Sequence, residues 1–116
     1  MIQGPVRLWL CCEPTDMRKS FDGLSALVKR ALGSDPLSGH GFVFINRRRT
    51  QLKCLYFDQG GYCIWAKRLE AGQFARLAPE GDGRSRALSQ TEFASLVEGL
   101  DLVIKKRRKR WSGGVD

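Results

Sequence analysis

The stretch Gly41–Glu70, GFVFINRRRTQLKCLYFDQGGYCIWAKRLE, constrains the fold more than any other. It holds three apolar runs, Gly41–Asn46, Gln51–Phe57 and Tyr62–Leu69. Asn46-Arg47-Arg48-Arg49-Thr50 and Asp58-Gln59-Gly60-Gly61 separate them. Short runs rich in Phe, Val, Ile, Tyr and Trp, bounded by Asn, Asp and Gly, read as strands. Connections of a few residues favour antiparallel neighbours, so the stretch predicts a three-stranded meander. Its strands are apolar on both faces: Phe42 and Phe44 alternate with Val43 and Ile45, and Leu55 and Phe57 with Cys54 and Tyr56. A sheet with one wet face would alternate apolar with polar. Both faces must therefore be covered, by helices of the chain or by another protein.

The flanks supply those covers. Val6–Cys12 reads as a strand stopped by Glu13-Pro14, joining the meander at one edge. Thr15-Asp16 offers an N-cap, and Phe21, Leu24, Leu27, Val28, Ala31 and Leu32 then share one helical face. Lys29 and Arg30 suit the negative end of that helix dipole. Gly33 fits a C′ position, and Pro36 prevents continuation. Gly23 inside the pattern costs about 1 kcal/mol against alanine, so it either admits a close contact or marks a later helix start. Ser34–His40 reads as a loop. In Ala71–Arg86, Phe74 and Leu77 anchor a short segment or a further edge strand, and Pro79–Gly83 is a loop. Ser89-Gln90-Thr91-Glu92 matches a capping box. Phe93, Leu96, Val97 and Leu100 follow on one face, which carries the helix to about Leu100 and leaves open an extension through Asp101–Ile104.

The fold class expected is α+β: a small, mostly antiparallel sheet, made of the meander plus the N-terminal strand, with two main helices. The chain has 116 residues, which suits one domain, taken as residues 1–104, followed by a basic tail, 105–116, expected to be disordered. No run is long enough to span a bilayer, and Met1–Cys12 lacks the pattern of a signal peptide, so the expected location is the cytoplasm and no membrane partner is expected. Cysteines at 11, 12, 54 and 63 then read as reduced thiols of a core. Cys11 and Cys12 point to opposite faces of a strand and cannot easily share a metal ion. With one histidine, His40, no metal site and no cofactor is expected.

No catalytic constellation is visible. Asp16 and Asp22 suit helix beginnings, Asp58 suits a turn, Glu70 follows two cations, and a lone loop histidine is ordinarily solvated. The chain reads as a non-enzyme.

Charge points elsewhere. The net charge is +8, and six consecutive positive charges lie in Lys105, Lys106, Arg107, Arg108, Lys109 and Arg110. Six like charges repel and cannot be buried, so the run belongs to solvent or to an anionic partner. Trp111 follows it, and cations beside an aromatic suit phosphate contacts with base stacking. A solubilising tail, a membrane-surface segment or an acidic protein partner are the other readings. Arg47, Arg48 and Arg49 form a second basic feature at a predicted hairpin tip. Such a tip can follow a phosphate backbone or simply be a solvated turn.

Several stretches also resemble a known family. TDMRKSFDGL, Thr15–Leu24, is similar to the TDMRKGFDGL signature of the TnpB-type (Orf2-like) accessory proteins of bacterial insertion-sequence family sixty-six. Asp35-Pro36-Leu37-Ser38-Gly39-His40 with Phe42-Val43-Phe44 resembles that family's loop and strand. The stretch from Leu55-Tyr56-Phe57-Asp58 through Cys63-Ile64-Trp65-Ala66-Lys67-Arg68-Leu69-Glu70 to Phe74 resembles a further segment, and Leu96–Asp101 its LLEGID ending. Ser20 departs from the usual glycine, Cys11-Cys12 is not part of the pattern, and the basic tail lies beyond the matched region. The resemblance implies an accessory role in transposition beside a separate transposase and a further small protein of the same element. It supplies no catalytic residues. Two expectations follow: a DNA-binding accessory subunit using the tip and the tail, or a protein–protein adaptor that docks through an apolar patch near Tyr56 and Trp65. A homo-oligomer stays open.

Overall fold

The computed structural model describes residues 7–81 and 83–100. Seven elements follow in order: β1 (Leu8–Cys11), α1 (Phe21–Arg30), β2 (Gly41–Ile45), β3 (Gln51–Asp58), β4 (Gly61–Arg68), β5 (Ser85–Leu88) and α2 (Gln90–Glu98). The strands form one sheet in the order β4-β3-β2-β1-β5. The meander is as expected: β2 pairs antiparallel with β3 (Val43 opposite Cys54), and β3 with β4 (Cys54 opposite Trp65). β1 joins its β2 edge in parallel, with Trp9 opposite Phe42. A parallel pair needs a crossover, and α1 provides it. β5 lies antiparallel beyond β1, with Trp9 opposite Ala87. The tract that carried only an anchor segment or an edge strand thus holds both. Phe74 is fully buried, and β5 forms the edge.

The doubly apolar strands are covered on both sides by the chain itself. On one face, Leu24 and Val28 of α1 pack with Cys11, Phe42, Phe44 and Leu55. On the other, Phe93 and Leu96 of α2 and Phe74 pack with Leu8, Leu10, Val43, Ile45, Leu52, Cys54 and Leu88. All five residues of β2 are buried, which is why its sequence shows no polar alternation.

Two helix boundaries differ from expectation. Thr15-Asp16 does not cap α1. Asp16 Oδ1 instead accepts the Arg18 N–H at 2.9 Å, closing a local turn that competes with helix. Lys53 Nζ donates to the Met17 and Lys19 carbonyls at 2.7 and 2.8 Å, holding that turn against β3. The helix therefore begins at Phe21, with Ser20 at the N-cap position, and it keeps Gly23, where a Cβ would come within 3.0 Å of Lys19 Cβ. The second helix has the expected capping box: Ser89 Oγ accepts from Glu92 N at 3.0 Å, and Glu92 Oε1 accepts from Ser89 N at 2.8 Å. It stops at Glu98 rather than Leu100, because Gly99 turns at φ +80° and Leu100 pairs with Gln73. The residues of the suggested extension, Asp101–Ile104, lie outside the described residues.

All four cysteines are free thiols. Cys54 faces Trp65 across the hairpin and Cys63 faces Tyr56, so they are not cross-strand partners. Among the described residues no helix is long and apolar enough to cross a membrane.

Candidate nucleic-acid interface

The arginine triplet sits on the turn between β2 and β3. Asn46 builds that turn: its Oδ1 accepts from Thr50 N at 2.8 Å and Gln51 N at 3.0 Å, and its Nδ2 donates to Thr50 Oγ1 at 3.2 Å. The backbone closes with Arg49 N donating to the Asn46 carbonyl at 3.0 Å. Arg49 takes the left-handed conformation, φ +61°, uncommon for a side chain without local polar help. The three side chains then part. Arg47 and Arg48 are exposed, whereas Arg49 is half-buried and its Nη1 donates to the Phe74 carbonyl at 3.4 Å.

The segment after β4 is tied to the same turn. Leu69 N donates to the Thr50 carbonyl at 2.8 Å, and Phe74 N to the Arg49 carbonyl at 2.7 Å. Gln73 Nε2 donates to the Arg48 carbonyl at 3.0 Å. Four bonds to this segment thus join the four within the turn in bracing a tip that carries cations into solvent. The bracing fixes the backbone of the tip, so that part need not be ordered on binding.

A cleft of about 210 Å³ opens beside the tip at the carboxyl ends of β1 and β2. Arg47, Arg49 and Arg76 line it, with Leu10, Ile45 and Leu77 among its apolar walls. A second, shallower depression shares Pro14, Asn46 and Arg47 with it and adds Arg18 and Arg48. Arg18 is paired: its Nη2 lies 2.6 Å from Asp16 Oδ2. That hydrogen-bonded guanidinium holds the Asp16 carboxyl well below the usual carboxylate range. Glu13, the acidic residue of the cleft, lies 3.6 Å from Arg84.

The chain also leaves the described body at this end. Gln73 N donates to the Leu100 carbonyl at 3.0 Å, and the Gln73 side chain is the one on Arg48. Lys105 lies five residues beyond Leu100 in the sequence. Lys105, Lys106, Arg107, Arg108, Lys109, Arg110 and Trp111 are themselves outside the described residues.

The other sequence candidates lie elsewhere. Tyr56 and Trp65 are half-buried on the α2 side of β3 and β4, and Trp65 meets Phe93 edge-on, centroids 6.2 Å apart. Asp22 lies in the first turn of α1, Asp58 at the β3–β4 turn, and Glu70 Oε2 is 3.2 Å from Arg68 Nε. Among the described residues no three His, Cys, Asp or Glu side chains are grouped as metal ligands. Sequence reasoning missed two cations near the tip. Arg18 was visible inside the TDMRKSFDGL motif, but Arg76 stands in a tract with no local signal.

Comparison with known proteins adds the following. The model of the family described as "IS66 Orf2 like protein" matches residues 6–107. "Uncharacterized protein y4jC" of Sinorhizobium fredii (strain NBRC 101917 / NGR234) is 40% identical over 103 residues, covering 89% of this chain and 86% of the relative. "Uncharacterized protein y4hO" of the same organism is 36% identical over 96 residues, covering 83% and 82%. No solved structure matches the chain.

Proposed function

The chain belongs to the IS66 Orf2-like family, and from that premise we propose that it is a non-enzymatic accessory protein of transposition that holds DNA by its phosphates. The observation that carries this reading is that the arginine turn and Leu100, the last described residue before the basic run, are joined through Gln73. The tip residues Arg47 and Arg48 are braced outward, with Arg49 beside them. The hydrogen-bonded exit at Leu100, which leads to Lys105–Arg110, is joined to the same turn through Gln73. Two weak contacts linked by a short tether reinforce one another through effective concentration. Phosphate contacts of this kind position a protein without reading bases. The Trp111 indole is then placed in sequence to stack on a base. The transposase and a further small protein of the element are the protein partners in this reading.

The test is binding of the full chain to an element-end duplex and a scrambled duplex at several salt concentrations. A full-length variant with all six cations of Lys105–Arg110 changed to glutamine serves as comparison. Six phosphate contacts give a log–log salt slope of roughly −5 from the tail alone. The variant should lose that part and keep the part due to the tip. A wild-type chain that binds neither duplex would overturn the reading. A second reading, an adaptor without DNA contact, draws on the surface that Tyr56 and Trp65 leave open on the α2 side. In that case the glutamine variant retains the transposase in a pull-down, and Tyr56→Ala loses it.

A further inference from the structure

We propose that the cleft at the carboxyl ends of β1 and β2 seats one phosphate of a DNA strand, with Arg76 as a phosphate-binding residue beside Arg47 and Arg49. The proposal deepens the DNA-binding reading and rests on it. Three arginines, two from the β2–β3 turn and one from the segment after Phe74, are among the residues that line one concavity of about 210 Å³. Its one acidic lining residue, Glu13, is engaged by Arg84, so the cationic character of the cleft is not cancelled from within.

The arginines are suited to the task by how they are held. Arg49 spends one N–H on the Phe74 carbonyl, which fixes the side chain and leaves further donors of its planar fork. Arg76 is exposed, and Arg47 stands where the cleft and the neighbouring depression meet. Leu10, Ile45, Ala75 and Leu77 give the cleft apolar walls. Charge-assisted hydrogen bonds are stronger against such walls than in open water. Guanidinium forks bind phosphate and carboxylate alike. The surroundings favour phosphate. Arg47 and Arg48 line the adjoining depression, so the phosphates flanking a seated one also meet cations. A single carboxylate would leave those cations without partners.

The experiment uses the full chain and a fluorescein-labelled duplex, with affinity read as anisotropy over a range of salt. Arg76→Ala should weaken binding on every duplex sequence and flatten the log–log salt slope by roughly 0.9, the share of one phosphate. Arg76→Lys should recover the slope, because the charge returns without the fork. The control is the Lys29→Ala, Arg30→Ala double variant. It removes two exposed cations at the carboxyl end of α1, the far end of the sheet, and should change neither quantity. Arg76 is exposed, so unchanged circular dichroism is expected for its variants. If the wild type binds and Arg76→Ala retains its full slope, the phosphate seat is wrong while the DNA reading stands. If Arg76→Ala loses polyglutamate binding but keeps duplex binding, the cleft is a carboxylate site and the proposal falls. If the wild type binds no duplex, the DNA reading fails and takes the seat with it.

Discussion

Asn46 and Lys53 show how single polar side chains set the shape of the basic end. Asn46 replaces the backbone ladder where the chain must turn, using both ends of its amide. Lys53 sits on a strand whose neighbours are apolar, yet its ammonium satisfies two carbonyls of the turn before α1. Hydrogen bonds from a charged donor are worth about 1.5–3 kcal/mol, enough to choose turn over helix for Met17–Lys19. The cysteines make a separate point at this scale. Burial pushes the Cys54 thiol up to about 12, and Cys11 upward as well. The thiolate is the reactive form, so both should resist alkylation in the folded chain. Iodoacetamide at mildly alkaline pH, followed by mass spectrometry, should label half-exposed Cys63 first, ahead of Cys12, which is also half-exposed but whose thiol burial pushes upward. Cys54 should be labelled only when denaturant is added. Early labelling of Cys54 would mean that the α2-side core opens readily.

The elements differ in how openly the sequence declares them. The meander is legible because each strand is bounded by residues whose backbone preferences end a strand, Asn46 and Asp58 above all. The capping box of α2 is legible because it needs only Ser89 and Glu92 three residues apart. The backbone N–H of Ser89 holds the Glu92 carboxyl below its ordinary range, as a working box requires. β5 is hard to see because Ser85–Leu88 has only Leu88 as a buried apolar residue and owes its strand form to pairing with β1. The end of α2 was also misplaced, since Leu100 continues the apolar spacing while Gly99 breaks it. Gly99 sits at φ +80° and ψ 168°, a region that side chains avoid, and an added Cβ would lie 2.8 Å from Leu69 Cδ1. Gly99→Ala should therefore destabilise the fold by about 1–3 kcal/mol. Urea denaturation would measure this, and a loss under about 0.5 kcal/mol, the ordinary surface range, would show that the bridge from Leu100 to Gln73 is unimportant.

At the scale of the whole molecule, β2 is the centre: it is third in the sheet order, buried on both faces and paired on both edges. Its amides should exchange with solvent only on global unfolding, whereas β4 and β5, the edge strands of the sheet among the described residues, should exchange by local opening. Hydrogen exchange read by NMR would show Phe42–Ile45 as the slowest group. Faster exchange there than in β4 would place the stable core elsewhere. The sequence by itself determined the three hairpin strands, the need for cover on both faces, the N-terminus of α2 and the two basic segments. Each of these follows from residues near one another in the chain, through periodicity, turn chemistry or unbroken charge. Only the tertiary structure decided that β1 runs parallel to β2 and that β5 closes the far edge. It also decided that Arg49 turns inward and that Arg76 joins Arg47 beside a cleft. Those outcomes depend on pairings between residues tens of positions apart, such as Arg49 with Phe74 and Gln73 with Leu100. Local propensity carries no term for such contacts; the packing of the folded sheet does.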